Sequence, residues 1–133
     1  MKGPLILVVD DNAAGQLLVT TVLELEGFRT ATAGSSAEVL EALQRRTPDL
    51  VLMDVQLPGQ DGLSLTRQLK ADPATAALRI VALTAYAMSG DRERALAAGC
   101  IGYITKPIDT RKLGDQVRGF LTWKPIEPAV AGD

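Results

Sequence analysis

Histidine is absent from the chain, which removes the commonest general base and the commonest ligand for transition metals. Serine–histidine, cysteine–histidine and histidine–zinc chemistries are thereby excluded, and any phosphohistidine that acts on this chain belongs to another molecule. The one cysteine, Cys100, cannot close an internal disulfide, and no opening segment joins a basic start to an apolar stretch and a small-residue cleavage site. Both features point to a reducing, cytoplasmic setting. Long apolar runs are missing too: Leu5 to Val9 and Leu50 to Met53 are far shorter than the roughly 20 residues of a membrane helix, so no membrane association is expected. Lys and Arg are scattered and the formal charge is −2, which leaves no electrostatic footprint for nucleic acid. At 133 residues, 47% of them hydrophobic, the chain can bury one core but is too short for two ordinary domains.

The periodicity alternates between strand and helix. Leu5-Ile6-Leu7-Val8-Val9 is a branched run of the kind buried on both faces of a parallel sheet, and it ends in Asp10 and Asp11. Asn12 is placed to cap a helix whose apolar residues Leu17, Leu18, Thr21, Val22 and Leu25 recur at spacings of three and four until Gly27. Phe28 to Thr32 reads as a strand, Ser35 or Ser36 as a cap, and Val39, Leu40 and Leu43 as the stripe of a second helix. Leu50 to Met53 is a strand ending in Asp54, followed by the turn Leu57-Pro58-Gly59-Gln60-Asp61-Gly62 and a helix through Leu63, Leu65 and Leu69 that Asp72-Pro73 ends. Gly59 and Gly62 read as turn glycines.

Arg79 to Leu83 is a fourth strand, ending in Thr84, and a helix with a mostly alanine face runs from about Gly90 to Ala98, with Arg92, Glu93 and Arg94 on its solvated side. Ile101 to Ile104 is a fifth strand ending near Lys106, and Asp109 or Thr110 caps a last helix through Leu113, Val117, Phe120 and Leu121. Strands alternating with helices imply an α/β, doubly wound parallel sheet of five strands with five helices. Sites in such sheets lie beyond the carboxyl ends of the strands. The expected domain spans residues 1-122; from Trp123 to Asp133 the small residues, Pro125, Pro128 and the loss of periodicity suggest a disordered tail or the start of a linker.

Asp10, Asp11, Asp54, Thr84 and Lys106 all fall at strand ends, where one pocket can gather them. Clustered carboxylates repel one another unless a cation neutralises them, and an all-oxygen set suits a hard divalent ion such as magnesium. Magnesium takes only one or two protein carboxylates, which leaves room for phosphate oxygens. Singly, Asp10 and Asp11 can equally cap the first helix, and Asp54 can be a solvated turn residue. Cys100 reads as a small buried hydrophobe rather than a redox sensor.

The motifs Val9-Asp10-Asp11-Asn12, Leu52-Met53-Asp54, Leu57-Pro58-Gly59-Gln60-Asp61-Gly62, Leu83-Thr84-Ala85 and Thr105-Lys106-Pro107 resemble response-regulator receiver domains, in the family's order and spacing, over about Pro4 to Leu121. The resemblance implies a flavodoxin-like sheet with strand order 2-1-3-4-5. It implies that Asp54 accepts a phosphoryl group from phosphohistidine or a small phosphodonor. Asp10, Asp11, Asp54 and the backbone carbonyl of Gln56 would then hold magnesium, with manganese as the alternative ion. By the same resemblance Lys106 and Thr84 contact the phosphoryl oxygens, a cis peptide bond precedes Pro107, and Thr84 with Tyr103 forms the switch. Tyr103 as a half-buried packing tyrosine is the competing reading.

Gln56 and Tyr86, two residues after Asp54 and Thr84, stand where family members adjust access of water to the aspartyl phosphate. The implied partners are a histidine kinase or histidine phosphotransfer protein and a downstream protein bound through the fourth helix, fifth strand and fifth helix. A phosphorylation-dependent dimer is a further expectation. Such a domain is no enzyme in the ordinary sense, since it catalyses only its own phosphorylation and slow dephosphorylation. Thr84-Ala85-Tyr86-Ala87-Met88 and Ala98-Gly99-Cys100 look like stand-alone receivers and those of hybrid sensor kinases, so a phosphorelay, or a receiver fragment of a hybrid kinase, is favoured over direct control of DNA. The rival class is a phosphatase of the haloacid dehalogenase type, but its second acid would stand at Gln56.

Overall fold

Aliphatic runs too uniformly apolar to leave a face in water form the centre of the protein. A computed structural model describes residues 3–57, 59–85 and 89–122. In chain order the elements are β1 (Leu5–Val9), α1 (Ala13–Leu25), β2 (Arg29–Ala33), α2 (Ser36–Arg45), β3 (Leu50–Asp54), α3 (Gly62–Ala71), β4 (Ile80–Thr84), α4 (Ser89–Ala98), β5 (Gly102–Thr105) and α5 (Leu113–Thr122). All strand pairs are parallel, in the order β2-β1-β3-β4-β5, as the resemblance implies. No described helix is long and apolar enough to cross a membrane.

Side chains alternate across the sheet and sort into two cores. Leu7, Val9, Val51, Met53, Ile80 and Ala82 point to the face covered by α2, α3 and α4, where Val39, Leu65, Leu69, Ala95 and Ala98 are buried. Ile6, Val8, Leu50, Leu52, Val81 and Leu83 point to the opposite face, covered by Val19 and Leu23 of α1 and Leu113 and Val117 of α5. Because β1, β3 and β4 are buried at every residue, their continuous apolar sequence follows from helices on both sides.

The helix ends follow local chemistry. The Asn12, Ser35 and Asp61 side chains accept the backbone N–H groups of Gly15, Glu38 and Ser64, satisfying donors that a first turn leaves orphaned. After α1, Gly27 takes a left-handed φ of 95° while its N–H and that of Phe28 donate to Glu24 and Leu23, the paired bonds that close a helix at glycine. Gly99, at φ 112°, ends α4 in the same way through Leu96 and Ala95.

Three expectations change. The face of α1 is rotated: Leu17 and Leu25 are 67% and 83% exposed, while Val19 and Leu23 are buried and Val22 packs beside them. Two leucine stripes compete on this helix, and only packing against the sheet selects one. β2, β4 and β5 each run one residue further along the chain than the apolar runs suggest, since ladder pairing extends to polar residues such as Thr84, opposite Thr105. Gly59 is a turn glycine at φ 79°, but Gly62 has no positive φ. A Cβ there would lie 2.0 Å from the Asp54 carbonyl oxygen, so its role is the close approach of α3 to β3.

Leu52, fully buried at the sheet centre, has no mobile neighbourhood to fill a void, so Leu52→Ala should cost about 2–5 kcal/mol in urea unfolding. The Cys100 thiol is buried and desolvation pushes its pKa up to about 11. It should resist iodoacetamide at pH 8 in the folded protein and react at once in denaturant.

Candidate functional site

The carboxyl ends of β1, β3 and β5 converge on one cavity of about 560 Å³, lined by Asp10, Asp11, Asn12, Asp54, Gln56, Lys106 and Pro107 with Ala14, Gly15, Leu18 and Ile108. Asp10 follows β1 directly and its N–H donates to the Ala33 carbonyl, extending the sheet by one bond. Asp54 is the last residue of β3, and the next N–H, of Val55, donates to Leu83. Lys106 follows β5, anchored by its N–H to the Thr84 carbonyl at 2.8 Å. Regular backbone pairing thus aims these side chains, and the Lys106–Pro107 peptide bond is cis.

Asp10 and Asp54 are nearly dry, at 5% and 4% exposure, whereas Asp11 is open to solvent. Oδ1 of Asp54 accepts the Gln56 N–H at 2.9 Å and Oδ2 accepts Nζ of Lys106 at 2.9 Å. Oδ1 of Asp10 accepts the Asn12 N–H at 2.9 Å, and its Oδ2 lies 4.0 Å from the same lysine nitrogen. One ammonium therefore serves two buried carboxylates. Burial holds the Asp10 pKa above the ordinary carboxylate value, and the Asp54 charge adds to this, while the Asn12 N–H and Lys106 oppose it.

One oxygen from each of Asp10, Asp11 and Asp54 lies within 4.8 Å of the others. Donors that are all oxygen, with one carboxylate open to water, fit a hard divalent ion that keeps part of its hydration shell.

Thr84 is buried but borders a neighbouring cavity of about 470 Å³, enclosed by Val55, Leu57, Leu63, Arg67, Ala82 and Arg94; Gln56 touches both cavities. Tyr103, paired with Ala82, is half-buried and packs against the core beneath α2, α3 and α4. Pro58, Tyr86 and the segment 123–133 lie outside the described residues. Sequence reasoning missed two neighbours of Asp10: Gln16, whose side-chain amide donates to the Asp10 carbonyl at 2.6 Å, and Gly15, whose Cα faces the Asp10 carboxylate. The one sequence signal was a glycine early in a helix, where propensity disfavours it.

Comparison with known proteins gives a consistent picture. Residues 6–118 match the family described as the response regulator receiver domain. The polar-differentiation response regulator DivK of Brucella ovis is 36% identical over 116 residues, covering 87% of this chain and 94% of DivK. Among solved structures, the receiver domain of a sensor histidine kinase from Pseudomonas aeruginosa, with a magnesium ion coordinated in its active site cleft, superposes with a TM-score of 0.80 at 34% identity. That match covers 90% of this chain and 98% of the other. The chemotaxis response regulator CheY4 of Vibrio cholerae, at 22% identity, shares the fold with a TM-score of 0.83 over 90% of this chain and 99% of its own.

A divalent ion that binds only the folded chain stabilises it, by about 2.7 kcal/mol at one hundred times its dissociation constant. Calorimetric melting should therefore show a concentration-dependent rise for the wild-type chain and little or none for Asp11→Ala, which removes the solvent-facing carboxylate of the cluster.

Proposed function

The chain belongs to the response regulator receiver domain family and is a receiver of two-component signal transduction; on that premise we propose that Asp54 is its phosphoacceptor. The observation that carries the reading is the Asp54 carboxylate itself, buried at a strand end with one oxygen on a backbone N–H and the other on Lys106. A carboxylate oxygen of Asp54 attacks phosphorus, the bond from phosphorus to the donor nitrogen breaks, and histidine leaves. Lys106 shifts its hydrogen bond to the incoming phosphoryl oxygens, where fixed positive charge is worth most as negative charge is redistributed. Asp10, Asp11, Asp54 and the Gln56 carbonyl would hold magnesium, or manganese in its place, which supplies charge neutralisation at the phosphoryl oxygens.

The donor is a histidine kinase or a histidine phosphotransfer protein, as the receiver family implies. The cavity mouth supports protein docking there: Ala14 and Leu18 of α1 and Pro107 and Ile108 form its walls. The exposed leucines of α1 continue the same apolar strip at helical spacing, through Leu18 at 45% and Leu25 at 83% exposure.

Thr84 turns toward the phosphoryl group on Asp54, and that displacement is the start of the switch. Tyr103, on the same sheet face beside Ala82, follows it and alters the α4–β5–α5 surface that a downstream protein, or a second receiver, binds. Shifting such an equilibrium from 1:99 to 99:1 takes about 5.5 kcal/mol of differential binding, so phosphate and partner act together. Gln56 and Tyr86 tune hydrolysis of the aspartyl phosphate. The protein works in the cytoplasm as the receiver unit 1-122, with 123-133 as a tail or linker, and turns over no separate substrate. The haloacid dehalogenase reading has no support, since the position two residues after Asp54 holds an exposed amide, Gln56.

Intact mass after incubation with acetyl phosphate tests this. A gain of one phosphoryl group, about 80 Da, should appear with magnesium, vanish with chelator and be absent from Asp54→Ala. Modification that persists in Asp54→Ala would overturn the reading.

A further inference from the structure

We propose that Gly15 is a positioning residue of the phosphorylation site: its missing side chain keeps open the space that sets the Asp10 carboxylate against Asp11 and Asp54. This rests on the receiver reading above. A Cβ built on Gly15 would lie 2.4 Å from Oδ2 and 3.2 Å from Cγ of Asp10, well inside van der Waals contact. The backbone gives no other reason for glycine here. The described glycines with positive φ are Gly27, Gly59 and Gly99, so Gly15 holds ordinary helical geometry that alanine adopts more readily. Glycine near the start of α1 thus weakens the helix, and the feature that offsets this loss is the room it leaves for one carboxylate.

Asp10 has little freedom to move aside while keeping its place. Its Oδ1 holds the Asn12 N–H, its Oδ2 faces Lys106 at 4.0 Å, and the residue is 5% exposed. A methyl group at position 15 therefore turns the carboxylate away from the oxygens it clusters with. Gly15 lies on the same inward side of α1 as Val19, with Leu17 and Leu18 outward.

Magnesium titration calorimetry and metal-free melting of wild type, Gly15→Ala, Gly119→Ala, Asp10→Ala and the Asp10→Ala/Gly15→Ala double variant test the assignment. Gly119 lies in α5, and a methyl group added to it would meet nothing within 4 Å, so Gly119→Ala should raise the melting temperature and leave magnesium affinity as in wild type. Gly15→Ala should lose about 10- to 100-fold in magnesium affinity, the usual effect of disturbing what orients a ligand. Without metal, it should raise the melting temperature only in the Asp10→Ala background, where the clash is gone.

Wild-type magnesium affinity in Gly15→Ala would overturn the inference. So would an equal melting shift from Gly15→Ala with and without Asp10. Should Gly15→Ala fail to fold, the double variant must fold, and its failure would likewise overturn the inference. A wild-type chain that takes no magnesium would overturn the receiver reading and this inference with it, whereas wild-type binding unaltered by Gly15→Ala removes the inference alone.

Discussion

Two nearly dry carboxylates, Asp10 and Asp54, share the ammonium of Lys106, and this unequal charge balance is the constraint around which the end of the sheet is organised. Like charges in a poorly solvated place favour proton uptake unless cations hold them ionised. Burial raises the proton affinity of Asp10, and one lysine only partly opposes that. The protein thus carries a standing deficit of positive charge at the ends of β1 and β3, which a divalent ion can fill.

The scaffold makes this arrangement rigid at small local cost. Asp54 and Lys106 are aimed by ladder bonds, from Val55 to Leu83 and from Lys106 to Thr84, rather than by loops. Close backbone approach does the rest. Gly62 lets α3 begin against the Asp54 carbonyl, and Gly15 lets α1 lie against the Asp10 carboxylate. In each case a helix contributes by what it omits, so that strand-end carboxylates keep one orientation.

Thr84 borders this group: it is buried beside an adjoining cavity that shares Gln56 with the one holding Asp54, and its carbonyl accepts the Lys106 N–H. The half-buried Tyr103, neither locked in the core nor free in solvent, pairs with Ala82 on the sheet face beneath α2, α3 and α4.

Element type, element order and the strand-end positions of Asp10, Asp54, Thr84 and Lys106 were legible in the sequence, because hydrophobic period and turn chemistry are local properties. The strand order came from resemblance, since a parallel crossover carries no local sign of which neighbour it joins. The face of α1 was only partly read: of the expected stripe Val22 packs on the core while Leu17, Leu18 and Leu25 are exposed, and Val19 and Leu23, at equally helical spacing, are buried instead. Only contact with the sheet buried the second set. The same holds for Gly15 and Gln16 at Asp10. A composition or spacing rule reports what a segment can do; which of its side chains touch a given carboxylate depends on distances between segments far apart in the chain, and only the tertiary structure decides those.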